Sequence, residues 1–239
     1  MRLHRFYTKE KIAGKKEISV FDERLIHQWR KVLRFKNSQK IMLFNGDGKD
    51  FLCEIILLER RSAHILVLES SPSLAGVPKF EVHLFQSLLK NNNFEFVLEK
   101  CAELGVSHFH PMLSERSEKK DFNRERLEKI LVGSSEQSGQ GFVPKIFSAK
   151  DFYDKENFSQ EIPKILFSPL GKPFHGILSK LKARFHNGKP IYIFIGPEGG
   201  FSQTEINFAS EKGVEISSLG AQTLRAETAS VAAVAILLL

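Results

Sequence analysis

The sequence predicts an α/β fold in two parts. Residues 1–72 form a small β-barrel, and 73–239 form a mainly parallel sheet covered by helices. Three observations predict it. Strand-like and helix-like segments alternate beyond residue 80, as in a sheet flanked by helices. Several β-type runs crowd around one amphipathic segment in the first seventy residues. Between them, 70–78 is rich in Ser, Pro and Gly and reads as a linker.

Charge separates the same two parts. The formal net charge is +7, with fifteen Lys/Arg against nine Asp/Glu in 1–72 and twenty against nineteen in the remainder. A basic module of this kind meets a polyanion, most commonly nucleic acid; a basic surface kept for solubility is the alternative. No signal-type apolar region follows Met1-Arg2-Leu3-His4-Arg5, and the longest apolar run, 231–239, is too short to cross a bilayer. A soluble cytoplasmic protein with no membrane partner is therefore expected. Cys53, Cys101 and the eight histidines show no ligand spacing, so neither a disulfide nor a metal is expected.

Residues 22–34 are the clearest amphipath. Leu25, Ile26, Trp29, Val32 and Leu33 share one side of a helix, while His27, Arg30, Lys31 and Arg34 recur on the other. That basic stripe is either a phosphate contact or solvated surface. Strand-like 41–44 and 51–58 flank Asn45-Gly46-Asp47-Gly48, a hairpin signal, and 64–68 adds a strand. Past the linker come a strand at 80–85, a helix over 93–104 stopped by Gly105, a strand at 109–113 and a helix from about Asn123. A strand at 164–167, a helical stretch after Pro173 and a strand ending at Ile195 follow.

Two strand-to-helix turns close the chain. The first is Gly196-Pro197-Glu198-Gly199-Gly200-Phe201-Ser202, whose glycines let a ligand approach bare backbone. Ser202 and Glu205 fit a capping box, so a helix starts there. The turn sits where open α/β sheets bind small molecules. Its spacing is neither GxGxxG nor a P-loop, which argues against a pyrophosphate site; a plain tight turn is the other reading. The second turn runs from Ser218-Leu219-Gly220 through Leu224-Arg225-Ala226-Glu227-Thr228 into a helix that is apolar nearly all round. Such a helix must be buried in the fold or against another subunit. Arg225 and Glu227 are opposite charges in that apolar setting. They serve either a ligand or an internal ion pair with a helix-end charge.

These two turns together resemble the uracil-N3 methyltransferases of small-subunit (16S) ribosomal RNA, in the SPOUT superfamily. The resemblance covers essentially the whole chain. Arg2 to Tyr7, the His27-to-Arg34 stretch, Ser87-Leu-Leu-Lys90, Glu99 to Gly105, Ser114-Glu115-Arg116-Ser117 and Ser135-Glu136-Gln137-Ser138-Gly139 also match its pattern. Gln140 departs from it, standing where the family commonly has Arg.

The resemblance implies a PUA-like RNA-binding barrel followed by a sheet with a deep trefoil knot. It further implies a homodimer, S-adenosylmethionine as methyl donor, and ribosomal RNA or the assembled 30S particle as substrate. The donor pocket would be formed by Phe167, Ser168, Ile195, Gly196, Pro197, Glu198, Gly199, Gly200, Leu219, Gly220, Leu224, Arg225 and Thr228. RNA contacts would come from Arg5, His27, Arg30, Arg34, Lys90 and Arg116. Uracil N3 carries a proton and is a poor nucleophile until that proton leaves. Arg225 is the candidate for stabilising the resulting anion, and Glu227 for removing the proton or positioning the base. Two other functions remain open: a SPOUT methyltransferase acting on tRNA or a ribose 2'-hydroxyl, and a non-catalytic RNA-binding assembly factor.

Overall fold

The computed structural model describes residues 3–76, 80–158, 162–176 and 190–239. The chain divides into two compact units, Met1–Val77 with Ser135–Val143, and Pro78–Ser134 with Pro144–Leu239.

The first unit holds β1 (Arg5–Tyr7), β2 (Glu17–Val20), β3 (Lys40–Phe44), β4 (Lys49–Leu58) and β5 (Ala63–Pro72) in the order β1-β3-β4-β5-β2. The β3–β4 hairpin forms where the sequence places it, with Gly46 at φ 90° and Gly48 at φ 82°. β1 and β2 are too short to carry a periodic signal. They are the two ends of the strand order, so by hydrogen bonding the expected barrel is a five-stranded sheet. Phe6, Leu25, Trp29, Ile41, Leu43 and Ile55 lie in its core.

Helix α1 (Glu23–His27) starts at Asp22, whose carboxylate accepts from the amides of Arg24 and Leu25 at 2.8 and 3.2 Å. It continues as a π-helical turn over Gln28–Val32 and reaches Arg34 at φ 53°. Leu25, Ile26 and Trp29 are buried as expected, but Val32 is 64% exposed. The wider turn rotates later residues off the apolar face, which a strict 3.6-residue period cannot anticipate.

The segment 135–143 is bound into this unit largely through Arg5. Its guanidinium donates to Asp50 Oδ1 at 2.7 Å and to the carbonyls of Ser135 and Gln140, each at 2.7 Å. The guanidinium carbon also lies 3.6 Å from the centre of the Phe44 ring. With its side chain only 10% exposed and engaged by these acceptors, Arg5 is a structural tie within this unit. Glu136 belongs to the same tie, accepting from the Tyr7 amide at 2.9 Å and pairing with Arg24 at 3.2 Å.

The second unit is a sheet of parallel strands. In chain order it contains β6 (Val82–Ser87), α2 (Asn93–Leu104), β7 (His108–Leu113), α3 (Arg124–Ser138, whose residues from Ser135 on belong to the first unit), β8 (Lys145–Ile146) and β9 (Lys150–Asp151). Then follow β10 (Lys164–Pro173), β11 (Ile191–Ile195), α4 (Gln203–Glu211), β12 (Glu215–Ser218) and α5 (Ala226–Leu238). The strand order is β12-β10-β11-β6-β7-β8, with β9 also on β7. Every pairing is parallel, as the alternation of elements predicts. Gly105 stops α2 at φ 106°, a left-handed conformation that suits glycine. The helix expected after Pro173 falls largely on 177–189, outside the described residues.

β10 is longer than its sequence signal because its second half re-pairs. Ile165 to Phe167 pair with Glu215 to Ser217, and after an irregularity Lys172 pairs with Ser217. A Cβ at Gly171 would lie 2.4–2.6 Å from Ser217 main-chain atoms. Only glycine permits that approach. Helix α5 buries Ala226, Ser230, Ala233, Val234 and Leu237 and leaves Val231, Ala232, Ile236 and Leu238 partly covered. No helix among the described residues is long and apolar enough to cross a membrane.

Candidate active site at the carboxyl ends of the strands

β6, β7, β10, β11 and β12 run parallel, so the loops after Ser87, Leu113, Ile195 and Ser218, and the irregular stretch of β10 after Phe167, lie at the same end of the sheet. This is the end where open α/β sheets place ligands. β11 is fully buried along Ile191–Ile195, so the turn after it issues from the centre of the unit.

That turn is held from outside by its neighbours. The Glu198 carboxylate accepts from the Lys90 amide at 2.8 Å, and Arg116 Nη1 donates to the Gly199 carbonyl at 2.8 Å. Gly200 has φ 66°, and a Cβ there would meet nothing within 4 Å, so its backbone faces open space. The capping box predicted for α4 is present: Glu205 N–H donates to Ser202 Oγ at 3.1 Å, and Ser202 N–H to Glu205 Oε2 at 2.8 Å. Glu205 is fully buried and also accepts from the Glu115 amide at 3.0 Å. Burial raises its pKa above the ordinary carboxylate value. Tyr153 Oη donates to Glu115 Oε1 at 2.5 Å on the same loop.

The second turn lines a pocket. Phe167, Ser168, Pro169, Ser218, Leu219, Gly220, Gln222, Leu224 and Ala229 line a small open pocket of about 60 Å³. Ser218 Oγ donates to the Gly220 carbonyl at 2.9 Å and fixes the entry to the loop. Ser217 Oγ, one residue earlier, is buried with no hydrogen-bond partner among the described residues. Arg225 takes the N-cap position of α5 with φ −64° and ψ 152° and makes no capping bond. It is exposed, Glu227 is half-buried, and among the described residues neither side chain has a hydrogen-bond or ion-pair partner. The internal ion pair considered as their alternative role is not formed.

Of the residues expected to bind donor, the structure brings Phe167, Ser168, Leu219, Gly220 and Leu224 to this pocket. Arg225 and Thr228 follow in the same segment. Ile195, Gly196, Pro197, Glu198, Gly199 and Gly200 form the neighbouring turn, where the Glu198 side chain braces the backbone. Lys90 and Arg116 are exposed, Lys90 pairing with Glu118 at 2.7 Å. His27 and Arg34 are exposed in the first unit and Arg30 is half-buried. Ser218 and Ala229 belong to the pocket without having been singled out as donor contacts; their position one residue from the expected segment was the available signal.

Comparison with known proteins decides the family. An RNA methyltransferase domain model matches residues 77–238, and an RNA methyltransferase PUA domain model matches 30–68. The chain belongs to the RNA methyltransferase family. This RNA methyltransferase is 26% identical to the ribosomal RNA small subunit methyltransferase E of Rickettsia conorii, covering 98% of this chain and 95% of that one. It is 32% identical to ribosomal RNA small subunit methyltransferase E 2 of Borreliella burgdorferi, covering 89% and 87%. Among solved structures it resembles the ribosomal RNA small subunit methyltransferase E of Neisseria gonorrhoeae bound to S-adenosyl methionine. That match has a TM-score of 0.83 and 28% identity over 98% of this chain and 96% of the other. The PUA domain match falls within the N-terminal unit of this RNA methyltransferase, and the RNA methyltransferase domain match falls mainly on its α/β unit.

Proposed function

We propose that this RNA methyltransferase transfers a methyl group from S-adenosylmethionine to N3 of a uridine in 16S ribosomal RNA. The carrying observation is the pair of uncommitted charges, Arg225 and Glu227, beside the pocket of the second turn. The reading places residues 1–72 as the RNA-binding domain and 73–239 as a knotted SPOUT domain, in a cytoplasmic homodimer. The partly covered apolar residues of α5 support the dimer, because such a face calls for a partner.

The residues present fit the donor. Phe167, Leu219 and Leu224 give an apolar wall for a flat ring such as adenine, with Ser168 and Gln222 as polar side chains in the same lining. The open backbone at Gly200 adds a second face. When bound, S-adenosylmethionine supplies an electrophilic methyl on a sulfonium. The protein's task is to hold the uracil in line and exclude water. Arg225, always charged and rich in planar donors, stabilises the anion left when the N3 proton departs. Glu227 accepts that proton or orients the base. In the first unit, His27, Arg30 and Arg34 meet phosphates, with Lys90 and Arg116 as contacts on the second.

The relatives named for the small ribosomal subunit support ribosomal RNA over tRNA or a ribose hydroxyl. Labelled methyl donor offered to unmodified small subunits and, separately, to tRNA tests this, with nucleosides resolved after digestion. Label in 3-methyluridine from the ribosomal sample is expected. Label in tRNA or in a ribose-methylated nucleoside would replace the substrate, and donor binding without transfer would favour an assembly factor.

A further inference from the structure

The other end of the sheet carries a group of side chains that the transfer reaction does not use. β6 and β7 pair in parallel with His83 directly opposite His108, and Glu81 lies just before β6. Glu81 Oε2 is 3.5 Å from His83 Nε2 and 3.9 Å from His108 Nδ1. One ligand atom from each of the three residues falls within 4.8 Å of the others. We propose that Glu81, His83 and His108 form a binding site for one divalent transition-metal ion of the zinc class, pinning the start of β6 to β7.

The chemistry of the donor set favours this. Two imidazoles and one carboxylate are a borderline-soft set suited to zinc, with a fourth position left for water. Tetrahedral ligands at about 2.0–2.1 Å from a zinc ion stand roughly 3.3–3.4 Å apart. The distances to Glu81 are roughly 0.1–0.6 Å longer, which the exposed Glu81 side chain can close, while bringing the two ring nitrogens onto one ion takes a turn of a histidine ring.

The second observation is the state of the rings. His108 Nδ1 is buried and has no hydrogen-bond partner among the described residues, although Glu81 lies on its side. A buried ring nitrogen left open is costly unless something takes it up. His83 Nδ1 is 3.0 Å from His110 Nε2. When His83 donates that proton, its Nε2 is a lone-pair donor turned toward Glu81, the outer hydrogen bond usual for a metal-ligating histidine. In the structure the rings stack, His83 lying 4.1 Å from His108 and 4.8 Å from Tyr192, so coordination turns the His108 ring out of that stack. The sequence spacing of 81, 83 and 108 hides the set, because strand pairing alone brings it together.

The test uses the full chain, freed of metal with a chelator and titrated with Zn²⁺ and, for its absorption bands, Co²⁺. One ion per chain is expected, with tetrahedral cobalt bands and a melting temperature raised by roughly 5 °C at a hundredfold excess over Kd. Glu81→Gln alters an exposed carboxylate, and His108→Gln a ring near the surface; each should weaken binding at least about tenfold. His64→Gln, on the other unit, should leave it unchanged. No stoichiometric binding by the folded wild type, or binding untouched by Glu81→Gln and His108→Gln alike, would overturn the proposal.

Discussion

The two strand-to-helix turns at the carboxyl end of the sheet look alike in sequence and differ in how they use charge. In the turn after β11, the polar groups are spent on the protein itself: Glu198 on the Lys90 amide, Arg116 on the Gly199 carbonyl and Glu205 on its capping box. In the turn after β12, Arg225 and Glu227 have no partner among the described residues. A charge already engaged holds a shape, while one left open beside a pocket is available to a substrate. Under the proposed function, the first turn is then a fixed wall and the second the reacting side.

The largest effect that would break this comparison is at Arg225. Arg225→Ala should lower turnover by about 10²–10³-fold, the scale of losing one oxyanion donor, while donor affinity and melting temperature stay near wild type. Equal losses of turnover and donor affinity would remove its anion-stabilising role. Next is Gly171→Ala. It drives a Cβ into the Ser217 main chain and should cost about 3 kcal/mol in denaturant unfolding, disturbing the β10–β12 pairing that leads into the second turn. A smaller cost, about 0.5–1 kcal/mol, is expected for Glu198→Ala, because it removes the acceptor of the exposed Lys90 amide and leaves that amide to water. Its turnover should fall far less than that of Arg225→Ala, and a reversed order would dissolve the distinction between wall and reacting side.

The smallest effect is a pH dependence at Glu205. Its folded pKa is raised by burial above its ordinary 4.5. Its contribution to stability is thus fully present below the ordinary value and is lost as pH rises through the raised one. Glu205→Gln cannot ionise, so the melting temperature of wild type should fall relative to this variant as pH increases from 4.5. A constant difference across that range would show that the carboxyl titrates alike in both states.

Much of this architecture was legible before any coordinates. α2 carries its own stop at Gly105, α4 its own start at Ser202 and Glu205, and the β3–β4 hairpin its own turn residues. Local chemistry decides each of these within a few residues. What depended on distant partners was not legible. Arg5 reads as one more basic residue of a basic segment until Asp50, Ser135 and Gln140 surround it. Val32 reads as core until a π-helical turn rotates it outward. At the pocket, the glycine and Arg225 motifs were visible through resemblance, but only the structure separates Glu198, which is engaged, from Glu227, which is not.

The tie between Arg5 and the carbonyls of Ser135 and Gln140 limits how this protein can be rearranged. A fragment ending at Val77 would keep every strand of the first unit yet lose both of those acceptors, leaving a nearly buried cation with Asp50 alone. Recombination that swapped the amino-terminal unit between relatives would have to carry residues 135–143 along with it. The first unit is thus inherited as two separated pieces of chain, and it cannot be exchanged by a single crossover.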